Sequence, residues 1–254
     1  MSRLYEVLQS AHRGRSAVTN EPNDQTTPSA FPPLSASGRA TVSIPRFHEE
    51  SELHALAQNI ATRLPNPDQN VIQFIGTQAG EGTSTLIREF ALTLGRQSSK
   101  PILLVEADFR QPSQAQAFAL KEKPSLNYAI REGKPLDGVV SKIEQSNLFL
   151  GTLSSEFFRS LTERSFFRST DMWKALRSHF SLILIDSSPV NTSADGLAIC
   201  EYVNGVVLVL AAEKTRAAVA QNVKREILRR EGNLLGIVYT KRKFHIPKSM
   251  YQFV

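Results

Sequence analysis

Six short apolar runs, at 71–75, 102–105, 148–150, 182–185, 206–210 and 235–238, punctuate the chain from residue 71 onward, with helical patterns between them. A strand that is apolar on both faces must be covered on both faces, and parallel neighbours need crossovers long enough to hold a helix. The pattern therefore predicts an α/β fold: a mostly parallel sheet flanked by helices, arranged as a three-layer sandwich. With 254 residues and 41% hydrophobic content, the chain can fill one such core and has no material for a second full domain.

The chain divides into three parts. Leu4, Val7, Leu8 and His12 recur at helical spacing and predict a short amphipathic helix within 1–13. Residues 14–46 shift to Ser, Thr, Pro, Asn and Ala, a composition that buries too little to offset ordering entropy and predicts a flexible linker. The α/β domain occupies 47–254 and opens with a helix over 48–64, whose Leu53, Leu56, Ile60 and Leu64 share one face before Pro65 and Pro67 end it. A single cysteine, Cys200, allows no intramolecular disulfide, and neither an export signal nor an apolar run of about 18 residues is present. A cytoplasmic protein is expected. The net charge of +6 suits an acidic partner, whether nucleotide, anionic lipid surface or nucleic acid.

The segment after the first strand carries the chemistry. Ile75 is followed by GTQAGEGTST, then a helical pattern through Leu86, Phe90 and Leu94. A Gly-rich turn between strand and helix brings backbone N–H groups to phosphate oxygens, and the helix N-terminus adds a favourable dipole. Gly80, Glu81, Gly82, Thr83, Ser84 and Thr85 are therefore candidate nucleotide-binding residues. In the standard phosphate-loop pattern a lysine stands where this chain has Thr83, and a first glycine where it has Thr77; Ser84 keeps the hydroxyl that ligates magnesium.

Two other strand ends join this loop. The run ILLVEADFR delivers Glu106, Asp108 and Arg110 at its carboxyl end, where open parallel sheets bind ligands. The run LILIDSSP places Asp186 to hold a magnesium-bound water. Alone, Asp108 also reads as a turn or cap residue and Asp186 as a polar strand stop. Three such ends in this order make a chance arrangement improbable. A dinucleotide-binding fold is disfavoured because the glycine spacing fails, although Glu106 imitates its ribose-binding acid.

GEGTST, VEADFRQPS, LIDSSPVNTSADG and VNGVVLVLAAEKTRAAV resemble the corresponding segments of bacterial tyrosine kinases, the autokinases that work with polysaccharide co-polymerases in capsule and exopolysaccharide assembly. The resemblance runs from about His48 to the C-terminus, and the opening MSRLYEVLQSAHR is similar to the start of stand-alone members. It implies a P-loop NTPase-like fold, ATP and Mg²⁺ as cofactors with Ser84, Asp108 and Asp186 around the metal, Asp108 and Asp186 as the catalytic candidates, Arg110 on the nucleotide, and an inner-membrane polysaccharide co-polymerase, or chain-length determinant, as partner. Asp195 matches an aspartate that recurs after the last acidic motif. The GEGTST form resembles a subset of polysaccharide-locus proteins. Related partitioning-type ATPases carry a signature lysine where this chain has Gln78.

The departures bear on activity. Thr83 replaces the phosphate-binding lysine, Glu106 an aspartate, and Thr240 an asparagine that often meets adenine. Ser51, His54 and Ala57 stand where the family often shows a Glu and two Arg that close a ring of subunits, so no stable closed octamer is expected. Tyr251 is the only tyrosine after Tyr239, where a terminal cluster is usual. These losses imply a degenerate, tyrosine-kinase-like protein that supports polysaccharide synthesis and export by docking. The alternative is an active but weak magnesium–ATP-dependent autokinase or ATPase, with a borrowed cation from Arg88, Lys100 or Arg110. The C-terminal stretch interleaves Lys241, Arg242, Lys243 and Lys248 with Ile246, Met250, Tyr251 and Phe253, a pattern suited to peripheral contact with an anionic membrane or a membrane partner. No nucleic-acid-binding motif is present.

Overall fold

The computed structural model describes residues 49–64, 66, 70–143, 145–154 and 170–242. The expected N-terminal helix, the linker and the apolar part of the C-terminal stretch lie outside the described residues. The elements run α1 (Glu50–Arg63), β1 (Val71–Gly76), α2 (Thr83–Gln97), β2 (Ile102–Ala107), α3 (Gln114–Ala117), α4 (Leu126–Arg131), β3 (Ser141–Lys142), β4 (Leu148–Thr152), α5 (Thr170–His179), β5 (Leu182–Ser187), α6 (Asp195–Ile199), β6 (Gly205–Ala211), α7 (Ala217–Arg229) and β7 (Leu234–Thr240). Single 3₁₀ turns follow α4 (Leu136–Gly138) and α6 (Cys200–Tyr202).

The strands form one sheet in the order β3-β4-β2-β5-β1-β6-β7. All neighbours are parallel except β3 with β4. The six apolar runs are all strands, each longer than its apolar stretch. The two-residue β3 has no run to announce it: Ser141 and Lys142 pair as an edge, where polar side chains keep contact with water.

Every residue of β1, β2, β5 and β6 is buried. Alternate side chains feed opposite layers. Ile72, Phe74, Leu104 and Leu184 pack with Leu53 and Ile60 of α1 and with Leu86, Phe90 and Leu94 of α2. Val71, Leu103, Val105 and Ile183 pack on the other face with Leu126, Met172, Trp173 and Leu176. This period of two, buried on both sides, is the physical content of the three-layer fold.

Register decides what meets at the functional edge. Phe74 of β1 lies opposite Asp186 of β5, and Glu106 of β2 lies opposite Asp186 from the other side. Because these neighbours are parallel, the residues that follow β1, β2 and β5 emerge together. The loop at 77–82, the acids at 106–108 and Asp186 thus share the carboxyl end of the sheet.

Candidate functional site

The loop is held open by its own backbone. Gly80 (φ +79°) and Gly82 (φ +92°) sit in the left-handed region, where a β-carbon is strained, and they turn the chain sharply from β1 into α2. Gly82 is the N-cap of α2, so no side chain there accepts the first N–H groups, and no acid stands in the first turn. The helix start therefore keeps its unpaired donors and positive end for an anion.

Glu81 does not face outward. Its buried carboxylate accepts from Thr77 N and Thr77 Oγ1, both at 2.6 Å, from Gln78 N at 3.1 Å, and from Thr215 Oγ1 at 2.6 Å. Thr77, at the position of the missing first glycine, thus supplies a hydroxyl that this carboxylate needs. The bond to Thr215 ties the loop to the turn between β6 and α7. Thr83 folds back over the end of β1: a β-carbon on Gly76 would stand 2.7 Å from Thr83 Oγ1.

Asp186 is wholly buried at the end of β5. Its Oδ2 accepts the Gln114 side-chain amide at 2.6 Å, while Oδ1 has no hydrogen-bond partner. Burial pushes its carboxyl up to about 7; the Gln114 hydrogen bond and the neighbouring Ser84 hydroxyl pull the other way, and Glu106 and Asp108 add to the rise. A buried acid with an orphaned oxygen beside a serine hydroxyl fits a hydrated cation. Ser84 and Asp186 are the residues that would hold magnesium.

Asp108 is committed elsewhere. Its Oδ1 accepts Arg110 N at 3.0 Å, Gln111 N at 3.1 Å and Ser188 Oγ at 2.7 Å, so the turn role that its position allows is realised. Glu106 caps α3, accepting Gln114 N at 2.6 Å and the amide of Ser113. Arg110 is exposed at this edge. Among the described residues no group of three or more acids, His or Cys gathers as a metal site. Magnesium here would draw most of its ligands from phosphate and water, as it commonly does.

Of the cations considered for loan to the loop, Arg88 is drawn inward. Its Nε donates to Gln114 Oε1 at 2.8 Å, and burial lowers its pKa against the pull of Asp186, Glu106 and Glu89. Lys100 precedes β2 and lies at the amino end of the sheet, about 20 Å of strand from the loop. Asp195 shares hydrogen bonds with Ser193 at the start of α6.

Gln114 was not foreseen from sequence. Fully buried, it donates to Asp186 Oδ2 and, at 3.0 Å, to Ser84 O while accepting from Arg88. The only signal was its place just after VEADFRQPS. The end of β7 also reaches the loop: Thr240 Oγ1 bonds the carbonyl of Glu81, and Lys241 Nζ donates to the carbonyl of Gly80 at 2.5 Å. Thr240 therefore braces the loop's backbone.

No family model matches the chain. It is similar to the tyrosine-protein kinase CpsD of Streptococcus pneumoniae, 26% identical over 209 residues that cover 80% of this chain and 89% of that protein. In fold it is similar to the kinase domain of the Escherichia coli tyrosine kinase ETK, with a TM-score of 0.66 and 15% identity over 78% of each chain. A plasmid partition protein from Borrelia burgdorferi superposes with a TM-score of 0.52 at 18% identity, covering 73% of this chain and 85% of that one. The resemblance to bacterial tyrosine kinases and the P-loop NTPase-like fold are both borne out.

Proposed function

We propose that this chain is a degenerate tyrosine-kinase-like phosphate-loop protein. It binds magnesium–ATP weakly and supports capsule or exopolysaccharide assembly in the cytoplasm by docking to an inner-membrane polysaccharide co-polymerase. The observation that carries this reading is the state of the two acids. Asp108 Oδ1 is taken up by turn amides and Ser188, and Asp186 Oδ2 by Gln114, yet the loop's glycines and open helix start persist. The anion cradle is kept while the phosphoryl-transfer machinery is not.

The parts divide accordingly. Backbone donors from Gly80 to Thr85 take the phosphates, Ser84 and Asp186 hold magnesium, and Arg110 lies at the rim of the site. Magnesium, when bound, neutralises charge between the terminal phosphates. Thr83 offers no charge to those phosphates. Loss of one cation from such a site costs ~10³ to 10⁵ in rate, judging from arginine-finger comparisons.

A second reading, a weak autokinase or ATPase, is favoured by one feature, the partnerless Oδ1 of Asp186 beside Ser84. The experiment combines calorimetry with an anti-phosphotyrosine assay. The full chain is mixed with magnesium–ATP, alone and with the cytoplasmic segments of a polysaccharide co-polymerase. Weak binding that ranks Thr83→Lys above wild type and wild type above Asp186→Ala, with co-polymerase association and no phosphotyrosine, is the expected outcome. Phosphotyrosine that forms on wild type and disappears in Asp186→Ala would establish the kinase reading instead.

A further inference from the structure

The loop lacks its own lysine, and three observations point to where its cation comes from. First, Lys241 lies immediately beyond β7, which ends beside the loop, and its ammonium sits on the Gly80 carbonyl at 2.5 Å, across a separation of 161 residues. Second, Lys241 adopts φ +56°, a left-handed backbone that a lysine rarely takes, at the turn that leaves β7. Residues in that region persist where surrounding structure over-determines them, and they cluster at ligand clamps. Third, the preceding Thr240 is buried and anchors this strand end to the loop through the carbonyl of Glu81, so the backbone that carries Lys241 is fixed beside the loop.

We infer that Lys241 is the cation of the phosphate loop, standing in from β7 for the lysine that Thr83 replaces. The inference rests on the nucleotide-binding reading given above. An ammonium carries three donors on a flexible stem, and a single exposed carbonyl holds it loosely. An incoming phosphate competes well for it, since a charge-assisted bond to phosphate is stronger than one to a neutral carbonyl. The orphaned Asp186 Oδ1, buried at the end of β5, marks the magnesium side of the same ligand. Arg88, a cation beside the acids, is engaged with Gln114.

The test is a two-by-two cycle on the full chain, with magnesium–ATP and magnesium–ADP as probes and calorimetry as readout. Wild type, Lys241→Ala, Thr83→Lys and the double variant are compared, and Lys214→Ala, an exposed lysine of the turn after β6, controls for bulk positive charge. Lys241→Ala is expected to lose at least tenfold in ATP affinity, and Lys214→Ala less than twofold. In the Thr83→Lys background, where the loop has a lysine of its own, removing Lys241 should cost less than threefold. Unfolding temperatures within a degree or two of wild type show that Lys241→Ala is folded. Binding by wild type that Lys241→Ala leaves within twofold overturns the assignment and leaves nucleotide binding standing. An equal loss in both backgrounds overturns it too, since the two lysines would then be independent. No binding by wild type at millimolar nucleotide overturns the nucleotide reading, and this assignment with it.

Discussion

Replacing Gln114 by leucine tests the polar network that the structure builds around Asp186. Leucine has a similar volume and fits a fully buried position, so the change is chiefly the loss of three hydrogen bonds. The bond to Ser84 O is neutral and worth about 1 kcal/mol; those to Arg88 and Asp186 involve charge and are worth about 1.5–3 kcal/mol each. The Asp186 share depends on pH. Its carboxyl is raised from 3.8 to about 7 chiefly by burial, so between those values the folded chain keeps a proton that the unfolded chain has lost. Stability therefore falls as pH rises through that window, by about 1.4 kcal/mol per pH unit from this group, and is level above it. Without the Gln114 donor the folded pKa rises further, and the added penalty appears only above about pH 7. Urea unfolding should show Gln114→Leu destabilised by about 3.5–5 kcal/mol at pH 5.5, where Asp186 is protonated in both proteins and its bond from Gln114 is a neutral one. At pH 8.5 the loss should grow by about 0.5–2 kcal/mol. A variant that folds at pH 5.5 and not at pH 8.5 gives the same result. Equal losses at the two pH values would refute the assignment of Gln114 to the carboxylate.

Three further outcomes follow from the packing. Cys200 is buried and its thiol is pushed up to about 12 by desolvation, so maleimide at pH 7.5 should label it only after denaturation; rapid labelling of the native chain would contradict that burial. Gly196→Ala would place a β-carbon 2.5 Å from the Ser188 carbonyl oxygen, so a loss of about 1–3 kcal/mol in thermal or urea unfolding is expected, with weaker nucleotide binding because Ser188 also holds Asp108. Ala57 is buried and His54 Nε2 donates to Gln97 Oε1 at 2.8 Å, so these two ring-contact positions face the chain's own fold; light scattering at micromolar concentration should give no ring-sized mass, with or without magnesium and ATP.

The three-layer fold was legible in the sequence because β1, β2, β5 and β6 are apolar on both faces, and that pattern has few other uses. The loop was legible for the same kind of local reason: Gly80 and Gly82 are needed for the left-handed turns between a strand and a helix. So were Asp108 and Asp186 as members of one edge, since parallel order puts successive carboxyl ends side by side. Their hydrogen-bond state was not legible. Asp108 and Glu106 look alike in sequence as acids after β2, yet one is held by a turn and Ser188 and the other caps α3.

By itself, then, the sequence determined the layer architecture, the glycine loop and the absence of a lysine from that loop, because each depends on residues within a few positions of one another. Tertiary structure alone decided which distant groups complete the site: Thr215 on Glu81 across 134 residues, Gln114 on Asp186 across 72, and Lys241 on Gly80 across 161. The physical reason is that hydrogen bonds and charges act over a few ångströms of space, and only the parallel register and the crossovers bring the ends of β2, β5, β6 and β7 within that distance of the loop.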